Sequence, residues 1–118
     1  MNNIIENIFN NFVVDGKKIP VSFGKYEGSS ETYIVYFSNG ETPDFYGDDK
    51  VLASKNTYDF NIYTKGNFFN ILNKVKEKLY DNGWEWIEDS EDIYEEDTRF
   101  FHKVTTWSKE RNDFEWQE

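Results

Sequence analysis

Cysteine is missing from this 118-residue chain. No disulfide framework, thiolate metal site or thiol nucleophile can therefore be built from it, which suits a reducing compartment. Proline occurs twice, at Pro20 and Pro43, and there is no Pro/Gly/Ser-rich linker, repeat or low-complexity tract. One domain of ordinary size is expected. No apolar run approaches the ~20 residues that a bilayer-spanning helix needs. The N-terminal stretch lacks the basic-then-apolar pattern of a secretory signal, so the chain is expected in the cytoplasm or in an assembly built there.

Positive charge is also scarce. Eleven Lys and two Arg face 23 Asp and Glu, leaving a net charge of -10. Binding to DNA draws on phosphate neutralisation by cations. Arg99 and Arg111 stand too far apart in sequence for a base-reading pair. Sequence-specific nucleic-acid binding is not expected, and an anionic membrane surface would repel the chain as well. What is abundant is aromatic: 11 Phe, 8 Tyr and 4 Trp outnumber Ile, Leu and Val together.

Periodicity predicts the elements. Ile4, Ile5, Ile8, Phe9 and Phe12 recur at helical spacing over about Asn3–Val13, with Asp15-Gly16 as the stop. Ile19–Phe23 reads as a short strand that Pro20 confines to an edge or a strand start. Glu31–Ser38 reads as a central strand, with Tyr33, Val35 and Phe37 on one face and Ile34 and Tyr36 on the other. Glu41–Lys50 reads as a polar loop. Val51–Thr64 reads as a long strand, bulged near Ser54–Asn56, with Tyr58, Phe60 and Ile62 inward and Asp59 and Asn61 outward. A second helix over about Asn67–Asn82 carries the stripe Phe68, Leu72, Val75, Leu79, basic residues in its last turns and Gly83 at its end. Strands Trp84–Glu88 and Ile93–Trp107 follow, joined by an acidic hairpin loop. The expected fold is α+β: a mostly antiparallel sheet of about four to five strands, two helices on one face, in the order α-β-β-β-α-β-β. Residues 1–107 form that domain, and 108–118 are a C-terminal extension.

Little of this suggests catalysis. His102 sits mid-strand and reads as a histidine hydrogen-bonded to a neighbour. The run Glu88–Asp97 holds seven carboxylates but lacks the glycine turn of a calcium loop, and reads as a solvated surface. The glycines match no phosphate-binding spacing, and Ser29-Ser30 has no elbow context. Neither enzyme activity, cofactor nor metal is expected.

A set of short motifs resembles one family. Ile19-Pro20-Val21, Tyr26, Gly28 and Thr32-Tyr33-Ile34-Val35-Tyr36 are similar to the opening strands of the tail-terminator, or tail-completion, proteins of long-tailed bacteriophages. Gly83-Trp84, Asp92, Tyr94-Glu95-Glu96-Asp97-Thr98 and His102-Lys103-Val104 resemble that family's ending, which is its most specific part. The matches span about residues 20–107; Ser108–Glu118 has no counterpart. The resemblance implies a non-enzymatic α+β subunit. It would assemble as a hexameric ring on the tail tube, stop tube growth and meet the head connector, in the virion after assembly in the host cytoplasm.

A ring subunit needs surfaces that neighbours complete. Phe45 and Tyr46 in the polar loop, and Trp107, Phe114 and Trp116 near the terminus, are the candidate interface residues. Glu95, Glu96 and Asp97 are candidates to face the ring lumen, where negative charge lets DNA slide without sticking. Two other readings stay open: another neck or head-completion protein, and a small acidic immunity or inhibitor protein that captures a basic partner.

Overall fold

Hydrophobic side chains from both ends of the chain meet on one face of a β-sheet in the computed structural model, which describes residues 2–47 and 50–112 (for 44–47, 50–52 and 112, the backbone alone). The elements run α1 (Asn2–Ile8), β1 (Val13–Val14), β2 (Lys17–Lys18), β3 (Val21–Phe23), β4 (Thr32–Gly47) and β5 (Lys50–Thr64). Then come α2 (Phe69–Asp81), β6 (Glu85–Asp89), β7 (Ile93–Glu95) and β8 (Phe100–Asn112). The main sheet has the order β3-β4-β5-β8-β6, and β7 pairs with β8 farther along. β3 lies parallel to β4, and every other pairing is antiparallel. No helix among the described residues is long and apolar enough to cross a membrane.

Two helices on a mostly antiparallel sheet match the expected class, but the strands number eight among the described residues: the order gains two strands between the helices and one after α2. The first difference lies at α1, which ends at Ile8 rather than near Val13. Asn11 takes a left-handed φ of 55°, a conformation Asn tolerates, and the helix cannot continue through it. Asp15 and Gly16 both have positive φ and form the turn of the β1–β2 hairpin, rather than a helix stop. Phe9 and Phe12 are still buried, edge to face at 5.2 Å.

The second difference is the stretch 41–50. It is not a loop: β4 and β5 pair continuously from Thr32↔Thr64 to Gly47↔Lys50 as one long hairpin arm. The extra residues fall on β4 between Ser38 and Gly40 and between Pro43 and Phe45, the latter opposite Ser54 and Ala53, and on β5 between Val51 and Ala53. The third concerns the last strand. β8 runs through Trp107 to Asn112, pairing with β5 as far as Ala53, so residues 108–112 extend the sheet. Residues 113–118 lie outside the described residues. β6 falls close to the expected Trp84–Glu88, but Ile93–Trp107 is not one strand: residues 96–99 turn the chain back, so that Ile93–Glu95 form β7 and pair with the start of β8.

The inward alternation of β5 holds: Tyr58, Phe60 and Ile62 are buried. They meet Ile34 and Tyr36 of β4, Phe9 and Phe12 after α1, and Leu72, Val75 and Leu79 of α2 in one core cluster. α2 ends as predicted at Gly83, whose φ is +81°. Trp84 N donates to Leu79 O at 3.0 Å and Gly83 N to Tyr80 O at 3.1 Å. This paired closure turns the chain sharply and delivers Trp84 to the underside of α2.

Candidate interaction surface

That turn builds a groove between α2 and the edge strand β6. Trp84 is 3% exposed and packs edge-on against Tyr58 and Phe60 at 5.8 and 6.1 Å. Its indole Nε1–H is buried without an acceptor among the described residues, a state that costs about 1–3 kcal/mol. Trp86 pairs across with Trp107 of β8 and lies under Lys76 Nζ at 4.5 Å from the ring centre. Its Nε1–H donates to Asp89 Oδ1 at 3.0 Å, and Asp89 also accepts from Lys76 Nζ. Lys76, Tyr80, Trp84, Trp86 and Trp107 line a groove of about 570 Å³, and Glu77, Asp81 and Glu85 rim it. Tyr80, Trp86 and Ile87 are exposed beside it by 75%, 54% and 49%. Large apolar surface at an open sheet edge is where a protein meets another chain.

The opposite face of the sheet carries a ladder of rings. Tyr26, Tyr33 of β4, Tyr63 of β5 and His102 of β8 stack in series at 4.4, 4.9 and 4.2 Å, with ring planes within 22° of each other. Stacked rings on paired strands stabilise the sheet they stand on. His102 Nε2 shares a hydrogen bond with Asn61 Oδ1 at 2.9 Å, and Asn61 Nδ2 donates to Val35 O at 3.2 Å. His102 is thus the strand histidine expected, held by an amide and a tyrosine ring. Burial lowers its pKa, and the nearby Glu95 carboxylate works against that shift. Glu95 also raises Tyr33 and Tyr63, again after burial as the larger cause. Glu95→Gln should therefore lower the His102 pKa further, read from the imidazole proton shift against pH; an unchanged or raised value would separate the two groups.

The sequence-derived candidates are scattered by the fold. Trp107 is a core residue rather than an exposed one: it is 2% exposed, sits in the middle of β8, donates its Nε1–H to Thr105 Oγ1 at 2.7 Å and reaches the surface only as part of the groove lining. Phe45 and Tyr46 lie on β4, where the backbone alone is described, and not in a loop. Phe114 and Trp116 lie outside the described residues. Glu95 is half-buried at the end of β7, where its Oε1 accepts from Thr98 Oγ1 at 3.2 Å. Glu96 and Asp97 are exposed in the turn that follows. The groove itself went unread in the sequence. Tyr80 lies one position off the buried stripe of α2, and Ile87 breaks the alternation after Trp84; both signal an apolar surface with no place in the core. Comparison with known proteins gives no match: no family model fits the chain, and no curated protein aligns with it.

Proposed function

We propose that this chain is a structural subunit of a long-tailed bacteriophage, a tail terminator whose copies form a ring, hexameric in the family it resembles. The ring caps the tail tube and joins it to the head connector. The subunit performs no catalysis and needs no cofactor. The observation that carries the reading is the motif Tyr94-Glu95-Glu96-Asp97-Thr98 followed by His102-Lys103-Val104. In the fold this motif is one built corner. Arg99, with φ 63°, donates its N–H to Glu95 O at 2.7 Å, and Thr98 ties to the Glu95 carboxylate. β8 then carries His102 into the ring ladder. A motif used this way keeps its residue types for shape rather than for reaction chemistry. The open β6 edge and its exposed aromatics support a subunit completed by neighbours.

Under this reading Glu96 and Asp97, free of the ladder, face the lumen, while Glu95 holds the corner. Neutralising both as Glu96→Gln/Asp97→Asn leaves assembly intact and slows DNA ejection; ejection at the wild-type rate would remove the lumen assignment. The role itself is tested by mixing the protein with self-assembling tail-tube subunits and imaging by negative stain. Tubes of limited length with an extra ring at one end are expected. Tubes that grow uncapped would sink the terminator role and turn attention to another neck position or to capture of a basic partner.

A further inference from the structure

We infer that copies join edge to edge: the β3 edge of one protomer seats on the β6 edge of the next, and Phe23 enters the groove between α2 and β6. The inference rests on the ring reading for its biological setting, and on the sheet for its geometry. β3 and β6 stand at opposite ends of the strand order, and no strand lies beyond either among the described residues. Each leaves backbone groups open to a new strand, those of β3 being the Val21 groups and the Phe23 N–H, since the Phe23 carbonyl accepts from Lys25 N at 2.9 Å.

Each edge also carries an exposed aromatic, Phe23 at 53% and Trp86 at 54%. Their faces agree. Phe23 packs on the core residue Tyr36 at 5.6 Å, so it lies on the helix side of the sheet, where the groove opens. If the sheet continues from copy to copy with the helices on the same side, Phe23 of the added strand falls into the groove.

The charges agree as well. Two chains of net charge -10 repel in most orientations. β3, however, is preceded by the exposed Lys17 and Lys18, whereas β6 carries the exposed Glu88; Lys25 and Glu85 also flank these edges but pair within the chain, with Glu27 at 2.8 Å and Lys55 at 3.6 Å. Placing one edge on the other brings opposite signs together. Because the two surfaces differ, the contact is heterologous and propagates from copy to copy until it closes, which is the geometry of a ring.

The absence of native cysteine makes the test direct. Ser22 and Glu88 lie on the sheet face away from the helices, so Ser22→Cys and Glu88→Cys are prepared as separate proteins. They are oxidised singly and as a mixture, both in free solution and with tail tubes present. The mixture is expected to give at least tenfold more disulfide-linked dimer than either protein alone in one of these settings. Adding Phe23→Ala to the Ser22→Cys protein should lower that yield at least fivefold. A mixture that links no better than the single proteins in both settings overturns the edge contact. The outcomes also separate it from the functional reading. Wild-type capping of tubes without mixed linkage keeps the terminator and discards this contact, whereas mixed linkage with uncapped tubes does the reverse.

Discussion

Trp107→Ala is expected to lower the unfolding free energy by about 3–5 kcal/mol, as removal of a large buried aromatic side chain does. A domain of this size holds only about 5–15 kcal/mol in all. The indole is 2% exposed and stands opposite Tyr58 on one side and Trp86 on the other. Truncation would leave a void that neighbouring rings cannot close. It would also strip Thr105 Oγ1 of the donor it receives at 2.7 Å. Trp86→Ala, at 54% exposure, is expected to cost less, about 1–2 kcal/mol, because a half-exposed ring leaves no void and the main loss is its hydrogen bond to the Asp89 carboxylate. Urea unfolding of the two variants checks the contrast. Equal midpoints would mean that Trp107 is not part of the core.

The second large effect lies one strand away. Asp89 gathers Lys76 of α2, the Trp86 indole and Thr105 of β8 around one carboxylate. Its side chain is 19% exposed and that of Lys76 29%. Asp89→Ala should cost about 2 kcal/mol near pH 7, since hydrogen bonds to a charged group contribute about 1.5–3 kcal/mol. Burial by itself would raise the Asp89 pKa. The donors and the Lys76 charge outweigh burial and hold it below the ordinary 3.8. A carboxylate depressed in the folded state adds stability that is complete above its unfolded pKa and is lost as pH falls through the folded value. The gap between wild type and Asp89→Ala should therefore be full at pH 7 and shrink below about pH 4. A gap that stays constant down to pH 2 would assign the cost to packing rather than charge.

How much of this could be read in advance differs from element to element. The stripe of α2 and the alternation of Tyr58, Phe60 and Ile62 were legible because each buries one face against a common core, and burial leaves a period in the sequence. Gly83 was legible because few other residues accept its backbone. The arm was not. Beyond Tyr36 no strand among the described residues covers the outer side of β4, which makes it an edge where Pro43 is tolerated. Away from the core, pairing rests on backbone hydrogen bonds, which leave no apolar pattern behind. Trp107 misled for a related reason. The last strand was expected to end at it, so its place looked peripheral, yet β8 continues five residues farther. The stretch Ile93–Trp107 failed for a third reason: it reads as one strand, but a turn at residues 96–99, with Arg99 at φ 63°, splits it into β7 and β8, and neither Gly nor Pro marks that turn. The groove stayed unread because it exists only where α2, β6 and β8 converge, and no one segment announces it.

The pairing pattern of β8 has a temporal consequence. The β4–β5 ladder can zip outward from its own tip, joining residues next to one another in the chain first. The β5–β8 ladder instead joins positions separated by 37 residues at Thr64↔Phe101 and by 59 at Ala53↔Asn112. Closing such long loops is slow, so β8 is among the last strands to dock. Among the described residues, β6 and β7 pair with β8 and with no other strand. The acidic edge and its groove therefore come into being at the end of folding. A half-finished subunit has no acidic edge or groove to receive a neighbour, and premature association is avoided by the order in which the chain completes itself.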